Sequence, residues 1–283
     1  MEFRGAVTMG SLDAGAVGAD ILTIMEKTTA SIYDFPVYYD LVFGSDCAAE
    51  MRFLHDLFGK YVDGKVKRLF EPACGTGRLI YRLGKEGFEV SGNDLNPKAI
   101  EFCNKRLEKN EIKGRAFVGD MSDFEVKKPY DAAFNTINSF RHLPTGESAA
   151  NHLRCMAAAV RPGGIYALGL HLTPTRGETT DEESWSARRG NLAINTYMWP
   201  VKKEPRKRME SFGIRFDVYK PTGHLRIVDC LHLRSYTAKQ FHELVEEVPD
   251  WEMVAVYDFH YDIKRPHKID ATSEDIVAIL KRR

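Results

Sequence analysis

The sequence lacks the features that would point to a bulk partner. It carries no net charge, with 40 basic against 40 acidic residues, so no global field draws it to nucleic acid or to an anionic membrane surface. It has no uninterrupted apolar run of membrane-spanning length, and its opening lacks the basic and apolar regions of a secretion signal. Its five cysteines, Cys47, Cys74, Cys103, Cys155 and Cys230, are scattered and never fall in a CxxC spacing. That excludes a disulfide framework and a structural zinc site, and it suits a reducing cytoplasm. Neither nucleic acid, membrane nor metal is expected. A cytoplasmic monomer or homodimer acting on a small molecule is.

What is present begins with length. A chain of 283 residues with ordinary apolar content can bury one large domain carrying a sizeable insertion. Residues 1–30 open on MEFRGAVTMGSLDAGAVGAD, rich in Gly and Ala with weak periodicity, and predict a poorly ordered leader without assigned function. From Lys67 onward, short apolar runs alternate with segments of helical spacing, the signature of βα units around a parallel sheet. Strands are expected at 67–73, 88–94, 115–119, 130–136 and 165–170. Helices are expected from Gly77 to Glu86, from Pro97 to Lys109 with Asn96 as N-cap, and from Ser148 to Val160, the last broken by the turn RPGG before its strand.

The second half changes character. NLAINTYMW, SFGIRFDVYK and HLRIVDCLHLRSY read as extended segments separated by Pro, Gly and charge clusters, so residues 172–234 predict an antiparallel insertion. Within it Tyr197, Trp199 and Phe216 are candidates for an acceptor wall, and the basic run KKEPRKR, with no interleaved aromatic, reads as a solvated turn. A capping box, Thr237 with Gln240, then opens a helix that leads to two last strands, WEMVAVYDF and DIVAILKRR. The expectation is an α/β doubly wound, mostly parallel sheet with a core over 31–171, the insertion as lid over 172–234, and completion of the core over 235–283.

The stretch RLFEPACGTGRLIYRL carries the chemistry. Gly75 and Gly77, after the first core strand, let the backbone approach a ligand closely. A dinucleotide turn needs a third glycine, and Ile80 stands there. Glu71, just ahead of the turn, suits a ligand bearing an ammonium or sulfonium better than a phosphate. A nicotinamide-dependent oxidoreductase is therefore the weaker alternative.

EPACGTG resembles the first motif of the class I S-adenosylmethionine-dependent methyltransferases, with Ala73 where a glycine is usual. VSGNDLNPKAI, FVGDMSDF, YDAAFNTINSFRHL and LRCMAAAVRPGGIYALGL resemble the later segments in order. The resemblance implies a seven-stranded Rossmann-like methyltransferase fold with S-adenosylmethionine as cofactor. Glu71, Ala73, Cys74, Gly75 and Gly77 would line it, Asp94 would accept from the ribose hydroxyls with Leu95 beside it, Asp120 and Met121 would hold the adenine, and Asn135 would face the methionyl end. Cys74 has no evident base and reads as packing rather than nucleophile. Tyr33 and Tyr39 would fold over the methionyl group, with Tyr38 in the same segment.

Methyl transfer from a sulfonium asks the protein mainly for alignment, and for a base only if the acceptor arrives protonated. His142 and His171, at the ends of the fourth and fifth core strands, are the candidates. NTINSF lacks the PPY signature of enzymes that methylate base amino groups, which leaves a small-molecule N- or O-acceptor. A non-catalytic S-adenosylmethionine-binding protein is the alternative from another class.

Overall fold

The computed structural model describes residues 25–177 and 182–283. Most of the expected leader lies outside them, but Met25–Thr29 forms a strand, β1, so the leader boundary at residue 30 is too late. Two helices follow, α1 (Pro36–Gly44) and α2 (Ala48–Tyr61), and then the βα series: β2 (Arg68–Pro72), α3 (Arg78–Lys85), β3 (Glu89–Asp94), α4 (Pro97–Lys109), β4 (Gly114–Val118), β5 (Tyr130–Asn135), α5 (Gly146–Ala159) and β6 (Val160–His171). After β7 (Glu183–Arg189), β8 (Leu192–Glu204), β9 (Met209–Lys220) and β10 (Gly223–Arg234), the chain returns through α6 (Ala238–Glu246) to β11 (Trp251–Tyr257) and β12 (Asp275–Arg282).

The central sheet has seven strands in the order β11-β12-β6-β5-β2-β3-β4. β12 runs antiparallel between β6 and β11, while β2 to β6 pair parallel with one another. Helices cover both faces because strands buried on two sides are apolar on both. Phe70, Tyr166, Leu168 and Ile276 pack with residues of α5 and α6 on one face. Leu69, Phe134, Ile165 and Ile279 pack with residues of α2, α3 and α4 on the other. Local signals set the helix starts. The Asn96 side chain accepts from Lys98 N and Ala99 N at 2.9 and 3.1 Å, and Thr237 and Gln240 close a reciprocal capping box.

RPGG does not separate helix from strand. α5 ends at Ala159, Val160 already pairs with Tyr130, and the register then jumps to Ile165 opposite Ala132. The four residues are a bulge inside β6, with Gly163 at φ +76° accepting from Asp63 N.

The insertion is larger than expected and is not contiguous in sequence. Its sheet has five strands in the order β1-β10-β9-β8-β7, with β1 parallel to β10 and the rest antiparallel. Its inner face, Ile194, Ile214, Phe216, Val218 and Ile227, packs on Ile32 and α1. Alternation puts Tyr197 and Trp199 on the opposite face, where they stack on each other at 5.3 Å. They are therefore not a wall toward the core, and Trp185 on β7 joins Phe216 on the inner side. KKEPRKR forms the end of β8 and a short turn in which Lys202 and Lys207 both pair with Glu204. No helix among the described residues is long and apolar enough to cross a membrane.

Beneath the turn that joins β2 to α3 lies a buried ion pair. Arg78 grips Glu50 of α2 with two hydrogen bonds, 2.5 and 2.8 Å, and both reach Thr136 at the end of β5. All three side chains are under 10% exposed. Burial pushes the Glu50 carboxyl up, but Arg78 and the hydrogen bonds outweigh it and hold the group below its ordinary value of 4.5. Glu50→Ala should cost about 3–5 kcal/mol, because Arg78 is left charged, buried and unpaired. A carboxyl with a depressed folded-state pKa stabilises fully above its unfolded value and less as pH falls through the folded one. Urea unfolding from neutral to acid pH should accordingly show the wild type losing more stability than the variant.

Candidate functional site

The site forms where strand order reverses, between the carboxyl ends of β2 and β5. Ala73, Gly75 and Gly77 all adopt positive φ, +50°, +52° and +70°. This tight path turns the chain from strand to helix and aims the Gly75 amide at Asp94. Gly75 N donates to Asp94 Oδ2 at 2.9 Å, and Asn96 N donates to Oδ1 at 2.8 Å. Each oxygen has a further lone pair left to accept with. Burial raises the Asp94 pKa, and the two amides oppose it. A Cβ at Gly75 would stand 3.8 Å from the Tyr39 ring and 4.0 Å from Asp94 Oδ2, within the gap between them.

Glu71 is buried behind the turn. Burial drives its pKa well up, Arg78 pulls it back, and Oε2 has no protein partner. Cys74 offers a ligand no polar group, because its amide donates to Asn93 O, its carbonyl accepts from Gly77 N, and its thiol faces Cys103. Asn135 also differs from expectation. Its Nδ2 donates to Pro72 O at 2.7 Å, stitching β5 to β2 across the switch, and its Oδ1 is buried without a partner. Leu95 is 68% exposed beside Asp94.

Asp120 and Met121 follow β4. The Asp120 carboxylate accepts from the amide and hydroxyl of Ser122, and Asn93 Nδ2 donates to its carbonyl. Met121 O bonds the ring of His152, whose other nitrogen bonds Tyr166 Oη. Burial lowers the His152 pKa to about 4, so the ring is a neutral strut that fixes the Met121 backbone.

Tyr33 and Tyr39 roof the turn, with ring centroids 5.4 Å apart, while Tyr38 stacks on Phe35 instead. Burial pushes the Tyr39 hydroxyl up to about 12, with Arg78 opposing and Asp94 and Glu71 adding to the rise. Tyr33 Oη lies 2.8 Å from His142 Nε2. Burial, Tyr39, Asp229 and Asp94 all raise the Tyr33 pKa, so the phenol keeps its proton and can donate it to Nε2 when the ring carries its own proton on Nδ1. His142 has its pKa lowered by burial and by Arg141, with Asp229 opposing. By surface area the residue is nonetheless exposed. His171 belongs to another cluster. Its Nδ1 bonds Asp275, its amide bonds Asn138 Oδ1, and its ring meets Phe259.

Three side chains central to this arrangement escaped the sequence reading: Arg78, His152 and Asp229. Asp229 left a signal, since it interrupts the period-two apolar series Leu225, Ile227, Leu231 and Leu233. Arg78 and His152 left none, because a single polar residue on a helix does not announce burial.

The residues present fit a cofactor with a diol and a positively charged end. Asp94 has further lone pairs at the turn, Gly75 leaves a gap that a Cβ would fill, and Glu71 Oε2 lacks a partner among the described residues.

Comparison with known proteins agrees with this geometry. Residues 70–164 match the family described as methyltransferase domain. A ubiquinone biosynthesis O-methyltransferase of Methylocella silvestris is 30% identical over 107 residues, 38% of this chain and 41% of that protein. The chain thus spans less than half of that relative. Solved structures align almost throughout. An S-adenosylmethionine-dependent methyltransferase from Clostridium acetobutylicum gives a TM-score of 0.71 at 14% identity, covering 87% of this chain and 96% of its own. CalS10 of Micromonospora echinaspora, an amino pentose methyltransferase solved with S-adenosylmethionine bound, gives 0.68 at 18%, covering 87% and 97%.

Gly77 tests the turn itself. An added Cβ would collide with the Cys103 sulfur and hold a side chain at φ +70°, so Gly77→Ala should lower stability by about 1–3 kcal/mol in thermal or urea unfolding. Cys103→Ala in the same protein should recover only the part due to the collision.

Proposed function

We propose that this chain, a class I S-adenosylmethionine-dependent methyltransferase by its matched domain and its fold, moves the methyl group to a nitrogen or oxygen of a small molecule held under Tyr33 and His142. The observation that carries this reading is the Tyr33–His142 hydrogen bond, joined through Tyr39 to the Gly75–Asp94 turn. A proton acceptor thus stands beside the place where the cofactor would lie. The Cys74–Gly77 turn and Asp94 would hold the ribose, Leu95 and the Asp120–Met121 backbone the adenine, and Tyr39 and Glu71 the methionyl end. Asn135 and Cys74 support that cradle from below.

When bound, S-adenosylmethionine supplies an already electrophilic methyl group on a positively charged sulfur, so the protein's work is alignment and proton removal. The lowered pKa of His142 favours its neutral form near pH 7, and with the ring proton on Nδ1 its Nε2 is the acceptor for the Tyr33 hydroxyl. A proton leaving the acceptor can pass to Tyr33 Oη while the phenolic proton passes to Nε2. His171, tied to Asp275, is the less favoured base because none of its contacts joins this chain of groups. The neighbouring proteins named above act on an amino pentose and in ubiquinone biosynthesis, and both descriptions support a small-molecule acceptor.

Calorimetry should detect S-adenosylmethionine and S-adenosylhomocysteine but not NAD. Asp94→Ala should weaken S-adenosylmethionine by roughly 1.5–3 kcal/mol, the worth of a hydrogen bond to a charged group, whereas Asp123→Ala should not. Binding of NAD alone, or equal small effects of both substitutions, would refute the assignment. Transfer of labelled methyl to a metabolite extract tests catalysis itself.

Because His142 works as the neutral form and its pKa lies below 6.5, turnover should be flat near neutrality and fall on the acid side. His142→Gln should remove that acid limb.

A further inference from the structure

Two carboxylates of the insertion sheet have opposite surroundings. Asp217, on the outer face, is shared by Arg215, Arg226 and His224. Asp229 lies on the inner face of β10, opposite the buried Ile214. Its Oδ2 accepts from Ile32 N at 2.9 Å and its Oδ1 from Cys230 N at 2.8 Å. Among the described residues no lysine, arginine or histidine forms an ion pair with it. The nearby cation, Arg141, is already committed to Glu210.

Among the described residues Asp229 therefore has no counter-charge, and it is set in a register that the strand otherwise fills with Leu225, Ile227 and Leu231. Each of its oxygens accepts one amide and has a further lone pair that a positively charged donor could use. Asp229 stands beside the Tyr33–His142 pair, since it holds the amide of Ile32, the residue before Tyr33, and the turn that carries His142 packs against β10. The groups around His142 are Arg141 from its own turn, Tyr33 from the turn before α1, and Asp229 from β10.

We propose that Asp229 is the specificity-determining carboxylate of the acceptor site, holding a protonated amine of the acceptor beside Tyr33 and His142. This rests on the methyltransferase reading and narrows its acceptor from nitrogen or oxygen to an amine. The ammonium meets Asp229 on arrival. One of its protons passes to Tyr33 Oη as the phenolic proton passes to His142 Nε2, which leaves a neutral amine with a free lone pair and an imidazolium. The positive charge moves from the amine to the histidine and stays next to the same carboxylate. An uncharged hydroxyl gains nothing from Asp229.

Asp229→Asn is the test, because its one amide oxygen can keep the long-range bond from Ile32 N while only the local bond from Cys230 N is given up, and the wild-type S-adenosylhomocysteine affinity checks that the fold is kept. Calorimetry on the variant should give wild-type affinity for S-adenosylhomocysteine; failure of the wild type to bind it would overturn the methyltransferase reading instead. With S-adenosylhomocysteine bound, D-glucosamine should shift the His142 ring resonances of the wild type saturably, and D-glucose should not. In Asp229→Asn the glucosamine dissociation constant should rise about tenfold or more, as expected for loss of a charged hydrogen bond. For an amine acceptor recovered from the extract assay, KM should rise similarly while kcat changes little. Equal action of the two sugars, no action of either on the wild type, or unchanged glucosamine binding in Asp229→Asn would overturn the proposal.

Discussion

The guanidinium of Arg78 is the group on which the rest of the site depends. It sits at the first helical position after the glycine turn, 8% exposed, and reaches back to Glu50 on α2 and across to Thr136 beyond β5. One side chain thus joins the turn, an N-terminal helix and the strand on the far side of the switch point. Its charge also decides the chemistry nearby. It holds Glu50 ionised, moderates the rise at Glu71, and restrains the rise at Tyr39. A buried pair of this kind adds little net stability over apolar packing, but it penalises any arrangement that separates the partners. A turn with three consecutive demands for positive φ needs such a clamp, since its backbone gains nothing from regular pairing.

A second buried pair does the same for the insertion. Arg141, in the turn after β5, bonds Glu210 of β9 and the carbonyl of Arg234, and Thr173 reaches the same glutamate. The five-stranded sheet is thereby held to the core at one end. At the other end, aromatic contacts run from Tyr39 to Phe43 and on to Trp185 and Phe216. Between these ties the candidate site draws on both units, with Tyr33 and Tyr39 from the N-terminal segment, His142 from the core and Asp229 from β10. The cofactor and acceptor halves proposed for it would consequently not be separable pieces of chain.

The core was legible because its signals are local. Apolar runs flanked by Gly75, Gly77 and Gly87 mark strand ends, and Asn96–Pro97 and Thr237–Gln240 mark helix starts within a residue or two. The turn and Asp94 were legible for the same reason, since a strand end facing a ligand leaves its mark within a few residues. β1 and β7 were not. Met25–Thr29 is short and polar, and it becomes a strand only by pairing with β10, some two hundred positions later in the chain. Tyr197 and Trp199 were assigned to the wrong face because alternation separates two faces without saying which one meets the core.

By itself, then, the sequence determined a doubly wound sheet, the place of its ligand turn, and the acid at the second core strand, all consequences of backbone conformation and short-range periodicity. Only the tertiary structure decided which polar groups meet. It joined Tyr33 to His142 across 109 positions, sent His171 to Asp275, turned Asn135 onto Pro72, and set Asp229 against the Ile32 amide with no ion-pair partner among the described residues. The physical reason is that a charge or a hydrogen-bonding group takes its properties from what surrounds it. Those surroundings are assembled from segments whose separation along the chain carries no trace of their contact.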